Sequence, residues 1–165
     1  MIIRGVKSTD AEKLAYLIKE VGNSAKYMLW EADERRIQAD NQLEMIESMQ
    51  ASENSTILVA EMDEDLVGYL FAMGGKARRN KHSVYIVIGI LQGKREQGIG
   101  TKLFKKLDHW AKQHHIHRLE LTVATKNEAG LSLYKKAGFE IEGTKRHSLL
   151  IDDEFVDEYN MAKLL

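Results

Sequence analysis

Between Val84 and Ala124 the chain runs strand, glycine loop, helix, strand, and this succession restricts the fold more than any other stretch. Val84–Leu91 is rich in β-branched residues and reads as a buried strand. The loop Arg95-Glu96-Gln97-Gly98-Ile99-Gly100 follows it. Gly98 opens the strongest helical pattern in the chain, with Ile99, Leu103, Leu107, Trp110 and Ala111 on one face. Leu119, Leu121 and Val123 then alternate as a half-buried strand does. A strand that reaches the next strand through a helix belongs to a mixed α/β architecture.

The remaining elements fit around that unit. Ile2–Val6 reads as a short strand. Thr9, with Glu12 three residues later, resembles a capping box for a helix carrying Leu14, Leu17, Ile18 and Val21 and ending at Gly22-Asn23. Ser24 to Ala39 holds Tyr27, Met28, Leu29 and Trp30 and then a charged run from Glu31 to Arg36. Asp40 is expected to cap a second helix through Leu43, Ile46 and Met49. Ile57–Glu61 and Leu66–Met73 read as a hairpin around Asp63-Glu64-Asp65. Gly74 to His82 is a basic, glycine-containing loop. Glu128–Ala137 reads as a helix closed by Gly138, and Phe139–Leu150 and Phe155–Leu164 as antiparallel strands around Asp152-Asp153. At 165 residues, with no repeat or linker, residues 1–165 are expected to form a single domain.

Composition removes several function classes. A net charge of −1 creates no field of one sign, so neither nucleic acid nor a membrane surface is an expected partner. Cysteine is absent, which removes disulfides, thiol nucleophiles and thiolate metal sites. No signal-peptide pattern and no apolar run of spanning length is visible, so a cytoplasmic location is expected. His114, His115 and His117 have no carboxylates at a recognisable ligand spacing, and no metal is expected there.

The glycine loop can hold an anion. A helix start exposes unpaired N–H groups and a positive dipole end, and glycine lets backbone approach closely. Gln97, Gly98, Ile99, Gly100 and Thr101 are therefore candidates for offering backbone N–H groups to a pyrophosphate. For an isolated G-x-G, a tight turn before a helix is the plainer reading. A phosphate loop of the G-x-x-x-x-G-K-[ST] kind fails because Ile99-Gly100 follows Gly98, which leaves a P-loop nucleotide hydrolase a weak rival. A dinucleotide fingerprint fails because Leu103 stands where its third glycine belongs.

Arg95-x-x-Gly98-x-Gly100 resembles the Q/R-x-x-G-x-G/A motif of the GCN5-related N-acetyltransferase (GNAT) family. Asn127 to Phe139 resembles that family's N-x-x-A-x-x-x-Y-x-x-x-G-F segment, with Gly130 in the usual alanine position. The small residue there is expected to serve close packing. The tail, from Glu142 to Met161, is similar to the family's closing strands. The resemblance covers about half the chain, from Val84 to its end. It implies an α/β fold with a mixed, mostly antiparallel sheet flanked by helices, whose central parallel strands, Val84–Leu91 and Arg118–Ala124, splay apart. It also implies acetyl-CoA as acetyl donor, with no metal. The pantetheine arm would pair like an added strand with backbone groups of Ile88, Gly89 and Ile90.

Residue roles follow from the same resemblance. Tyr134 is the expected acid at the leaving thiolate, since a phenol is protonated at neutral pH; packing on its helix face is the plainer role. Asn127 is expected to cap a helix and to contact the pantetheine or the substrate amine. The polarising donor would be a backbone N–H of the Val84–Leu91 strand, such as that of Ile90. Glu31 and Glu34 are the candidate bases on the substrate side, with Glu120 and Tyr85 on suitable strands. Arg95 and Lys102 are candidate phosphate partners. The expected acceptor is a primary amine of a small molecule or of a protein N-terminus. A non-catalytic acyl-CoA-binding module is the alternative, and the apolar end Met161-Ala162-Lys163-Leu164-Leu165 suggests a homodimer.

Overall fold

The computed structural model describes residues 1–31 and 34–165. Seven strands, β1 (Ile2–Gly5), β2 (Thr56–Met62), β3 (Asp65–Gly74), β4 (Ser83–Ile90), β5 (Arg118–Ala124), β6 (Glu140–Ile151) and β7 (Glu154–Leu164), form one sheet in the order β1-β2-β3-β4-β5-β7-β6. The helices are α1 (Ala11–Ser24), α2 (Ala39–Ala51), α3 (Ile99–Gln113) and α4 (Glu128–Lys136). Every neighbouring pair is antiparallel except β4–β5. This is the mixed, mainly antiparallel sheet that the sequence predicts.

The two faces of the sheet carry separate cores. On one, Ile99, Leu103, Phe104, Leu107 and Ala111 of α3 pack on Val84, Ile86, Leu119, Leu121, Val123 and Met161. On the other, Leu14, Leu17, Ile18 and Val21 of α1 and Ile46 of α2 cover Ile57, Val59, Tyr69 and Phe71. Each such aliphatic side chain contributes about 1.5–3 kcal/mol on burial. Both faces are needed because the strands of β2 and β3 are buried on both sides.

Several expected details differ. Thr9 is not the cap of α1. A short 3₁₀ turn spans Ser8–Asp10, and the Asp10 carboxylate accepts the Lys7 N–H at 2.7 Å and the Arg4 guanidinium at 2.8 and 2.9 Å. That guanidinium holds the Asp10 carboxyl below its ordinary range. Helix α1 runs through Gly22-Asn23 to Ser24. Asp40 lies inside α2, whose N-cap is Gln38; the Asn41 side chain accepts the Gln38 N–H at 2.9 Å. The apolar C-terminal strand is interior: β7 pairs with β5 and β6, and Met161 and Ala162 are buried in the core while Leu164 is exposed. Strand β4 is also less buried than its composition suggests, with Val87, Ile88 and Ile90 only half-buried. The reason lies in its neighbour.

Candidate active site

Strands β4 and β5 pair at only three positions, Ser83↔Arg118, Val84↔Leu119 and Tyr85↔Glu120. Beyond Tyr85, β4 continues beside β3 as far as Ile90↔Gly68, and β5 continues beside β7 as far as Ala124↔Glu158. The strands therefore splay, and a gap opens between Ile86–Ile90 and Leu121–Ala124.

Strand alternation decides which backbone groups face the gap. The Leu91 N–H donates to the Val67 carbonyl at 2.9 Å, so Leu91 and Val67 form a hydrogen-bonded pair of the β3–β4 ladder. Alternate pairs behave alike, so Gly89 exchanges its bonds with Tyr69, while Ile88 and Ile90 turn their N–H and C=O away from β3. Of the three residues expected to meet a pantetheine arm, Ile88 and Ile90 offer polar groups to the gap. Gly89 does not, and it has another reason to be glycine. A Cβ there would stand 2.4 Å from Cζ and 2.5 Å from Oη of Tyr69.

At the open end of the gap lies the N-terminus of α3. Gly98, the N-cap residue, is left-handed at φ 76°, a conformation that favours glycine. Among the described residues no side chain caps this helix, and the first helical N–H to find a carbonyl is that of Lys102, bonded to Gly98 at 3.1 Å. The N–H groups of Ile99, Gly100 and Thr101 are thus left over. Nothing lies within 4 Å of a Cβ built on Gly98, so the loop surface is open there. Gly100 is small for a different reason: a Cβ would meet Leu133 at 2.8 and 2.9 Å and Ile90 at 3.3 Å. Gln97, Arg95 and Lys102 are exposed beside this terminus.

The start of α4 contrasts with that of α3. Asn127 caps it, its Oδ1 accepting the Gly130 N–H at 3.0 Å. Gly130 is small because a Cβ would meet the Asn127 side chain at 2.7 Å. Tyr134 lies one helical face further on, against the α3-side core. Its ring meets Phe104 edge-on at 5.9 Å and Phe139 at 6.3 Å. Burial first, and then the nearness of Tyr85 and Tyr69, push the Tyr134 hydroxyl up to about 12. It is a firmly protonated donor. Burial pushes Tyr69 to about 12 as well, against a small opposing effect of Arg35.

The other face of the gap belongs to the connection between α1 and α2. Tyr27 packs on Ala124, Leu149 and Val156, and Met28 on the cluster that contains Tyr69, Val87 and Leu91. Glu31 and Glu34 follow in this connection, both exposed, joined by the Glu34 N–H to the Glu31 carbonyl at 3.2 Å. Tyr85 donates to or accepts from Thr122 at 2.7 Å across the start of the splay. Glu120 is held by the Arg118 Nε at 2.8 Å, which leaves it poorly placed as a base. Tyr85, Glu120, Thr122, Glu142 and Asn160 line a depression of about 330 Å³ on the same face. The sequence does not single out Tyr69 or Thr122. Their nearness to the gap depends on strand register, for which a single sequence carries no local signal.

The acetyltransferase (GNAT) family model matches residues 23–139. The L-amino acid N-acetyltransferase AaaT of Escherichia coli (strain K12) is 34% identical over 111 residues, covering 65% of this chain and 67% of that protein. Among solved structures, an acetyltransferase of the GNAT family from Streptococcus pneumoniae superposes with a TM-score of 0.94 at 27% identity, over 99% of this chain and 98% of that one. A phosphinothricin acetyltransferase from Sinorhizobium meliloti, solved in complex with acetyl-CoA, superposes with a TM-score of 0.86 at 16% identity, over 99% and 88%. That last likeness is one of fold.

Proposed function

Because the chain belongs to the acetyltransferase (GNAT) family, we propose that it transfers an acetyl group from acetyl-CoA directly to a primary amine, in the gap between β4 and β5. The observation that carries this reading is the gap itself: unpaired backbone groups on β4 lead to an uncapped helix start. Those features suit a ligand with amides along its length and a pyrophosphate at its end. Acetyl-CoA supplies an acetyl group activated as a thioester.

The residues divide the work. The free N–H groups of Ile99, Gly100 and Thr101, with Gln97 and Gly98 of the loop, bind the pyrophosphate. Arg95 and Lys102 add charge-assisted bonds. The gap-facing groups of Ile88 and Ile90 hold the pantetheine amides as an added strand would, and the Ile90 N–H is the donor suited to polarise the thioester carbonyl. Tyr134 gives its proton to the departing thiolate. Asn127 keeps its capping bond and offers its remaining Nδ2 donors to the pantetheine or the amine. Glu31 or Glu34 takes the amine proton, directly or through water.

The acceptor is a small-molecule amine, and an amino acid is the first choice, since AaaT acts on L-amino acids by name. A protein N-terminus is the second. The protein is read as cytoplasmic, and a second copy would add along the edge strand β6, where Ile141 and Leu150 are exposed. Thiol release from acetyl-CoA, measured with amino acids, polyamines and short peptides as acceptors, tests the reaction. Amine-dependent release is expected. Tight coenzyme binding with no release for any amine would favour the non-catalytic binding module instead.

A further inference from the structure

The family match leaves open what holds the acceptor. One carboxylate stands on the row of side chains that crosses the gap. Counted forward in step from the last parallel pair, Tyr85 and Glu120, the fourth residues on are Gly89 and Ala124. They stand at one level on the two sides of the splay. Gly89 lies opposite Tyr69 and Ala124 opposite Glu158, and directly opposed residues share a face. Tyr85 and Thr122 touch on this face, which fixes it as the one turned toward α1 and α2. The row therefore reads Tyr69, Gly89, gap, Ala124, Glu158, Lys145.

Two properties of the row bear on access to the reacting centre. The residues that border the gap are a glycine and an alanine, so what covers it on this face is the Tyr69 ring over Gly89 and Tyr27 against Ala124. The depression lined by Tyr85, Thr122 and Asn160 lies one row below, with Thr122 opposite Asn160. An acceptor lying there extends its amine past Ala124.

Glu158 is the carboxylate at that point. Its side chain is 13% exposed, against 40% for Glu120, which Arg118 holds. Among the described residues its one ionic contact is Lys145, whose ammonium stands 3.8 Å from Oε1 and whose side chain is half exposed. No hydrogen bond from a described residue reaches it. A nearly buried carboxylate facing a loosely held, mobile-stemmed ammonium is a site where another ammonium can take the lysine's place.

We propose that Glu158 is the acceptor-binding carboxylate, holding the acceptor's ammonium at the mouth of the gap between Gly89 and Ala124, and that Lys145 occupies this position in the free enzyme. The proposal rests on the acetyl-transfer reading above. It also assigns the depression to the body of the acceptor, and so selects cationic amines over neutral nucleophiles.

Steady-state kinetics with the best amine of the panel test it, using wild type, Glu158→Gln and Lys145→Met. Glu158→Gln keeps size and shape, and is expected to raise the KM for the amine about tenfold or more while the KM for acetyl-CoA stays within about twofold. Lys145→Met is expected to lower the amine KM by about two- to fivefold, because a competing cation is gone. A purely structural Lys145–Glu158 pair predicts instead that both variants change in the same direction, and that result overturns the proposal. So does an amine kcat/KM within about twofold of wild type for Glu158→Gln. Wild type that releases no thiol with any amine overturns the acetyl-transfer reading, and this assignment with it.

Discussion

Gly89→Ala is the substitution whose consequences the structure fixes most tightly. The added methyl would sit 2.4 Å from Cζ, 2.5 Å from Oη and 2.6 Å from Cε1 of Tyr69. Non-bonded heavy atoms rest at about 3.5–4.0 Å, so two ring carbons and the hydroxyl oxygen overlap the methyl by about 1 Å each. The ring has little room to yield, being 2% exposed and set edge-on to Phe71 at 5.3 Å. Overpacking of this kind costs about 1–3 kcal/mol, and with a rigid ring as the obstacle the upper end is expected. If β4 gives way instead, it moves toward the gap and carries Ile88 and Ile90 with it. A displacement of about 1 Å at a reacting centre can cost about 100-fold in rate. Urea unfolding and steady-state kinetics read both effects. Tyr69→Leu removes the obstructing ring atoms, so the double variant should recover about 2 kcal/mol relative to the sum of the single ones. A Gly89→Ala protein within about 0.5 kcal/mol of wild type, or a double variant with no coupling, would refute this account of the β3–β4 contact.

The other expectations are more local. Tyr134→Phe should lower kcat strongly with little change in the KM for acetyl-CoA if, as proposed, the hydroxyl protonates the departing thiolate; unchanged turnover would remove it from the mechanism. Asp10→Ala should destabilise by about 2–3 kcal/mol in urea, since it leaves a part-buried Arg4 with Glu61 as its remaining acidic partner. The folded-state pKa of Asp10 is depressed, so its contribution is present above the unfolded carboxyl value of about 4 and is lost as pH falls through the lower folded one. Unfolding of wild type and Asp10→Asn compared from pH 5 to pH 3 should therefore converge. Tyr69 and Tyr134 shift the opposite way, to about 12. Their contribution is intact below the unfolded value of about 10 and lost as pH rises through the folded one, on the order of 1 kcal/mol for each at pH 11. Tyr134→Phe should remove half of that alkaline loss, as measured by urea unfolding at pH 9 and pH 11.

What could be read from the residues themselves was local or periodic. The apolar stripe of α3, the alternation of β5 and the Gly98-x-Gly100 loop each lie within one element, and each stands where expected. Tyr134 could be singled out because its motif is contiguous with Asn127 and Gly138. The misplaced cap of α2 is itself local, a contact between Gln38 and Asn41 that Asp40 masks, but the other misplaced features depend on distant neighbours. Thr9 has good capping chemistry, but Asp10 has Arg4 beside it, on a strand paired to Glu61. The β-branched run of β4 looks buried throughout, yet its second half borders a gap that only the pairing of β5 with β7 creates. Glu158 is one acidic residue among several near the C-terminus. Only the register Ala124↔Glu158, taken with Gly89↔Tyr69, moves it beside the gap.

A strand edge left open inside a sheet carries backbone groups without partners, so the splay must be held open by something. Each flank is complete in itself: seven register pairs join β4 to β3 and seven join β5 to β7, against three between β4 and β5. On the α3 side, Leu133 of α4 and Ile90 at the end of β4 both crowd the helix start, where a Cβ on Gly100 would meet Leu133 at 2.8 Å and Ile90 at 3.3 Å. The glycine that permits this packing also contributes one of the three free N–H groups. A ligand carrying its own amides satisfies the open edge without moving either half of the sheet. Gly100→Ala should therefore disturb the gap and the proposed anion site together, whereas Gly98→Ala, with open space around its Cβ, should act through its left-handed φ and the proposed anion site alone.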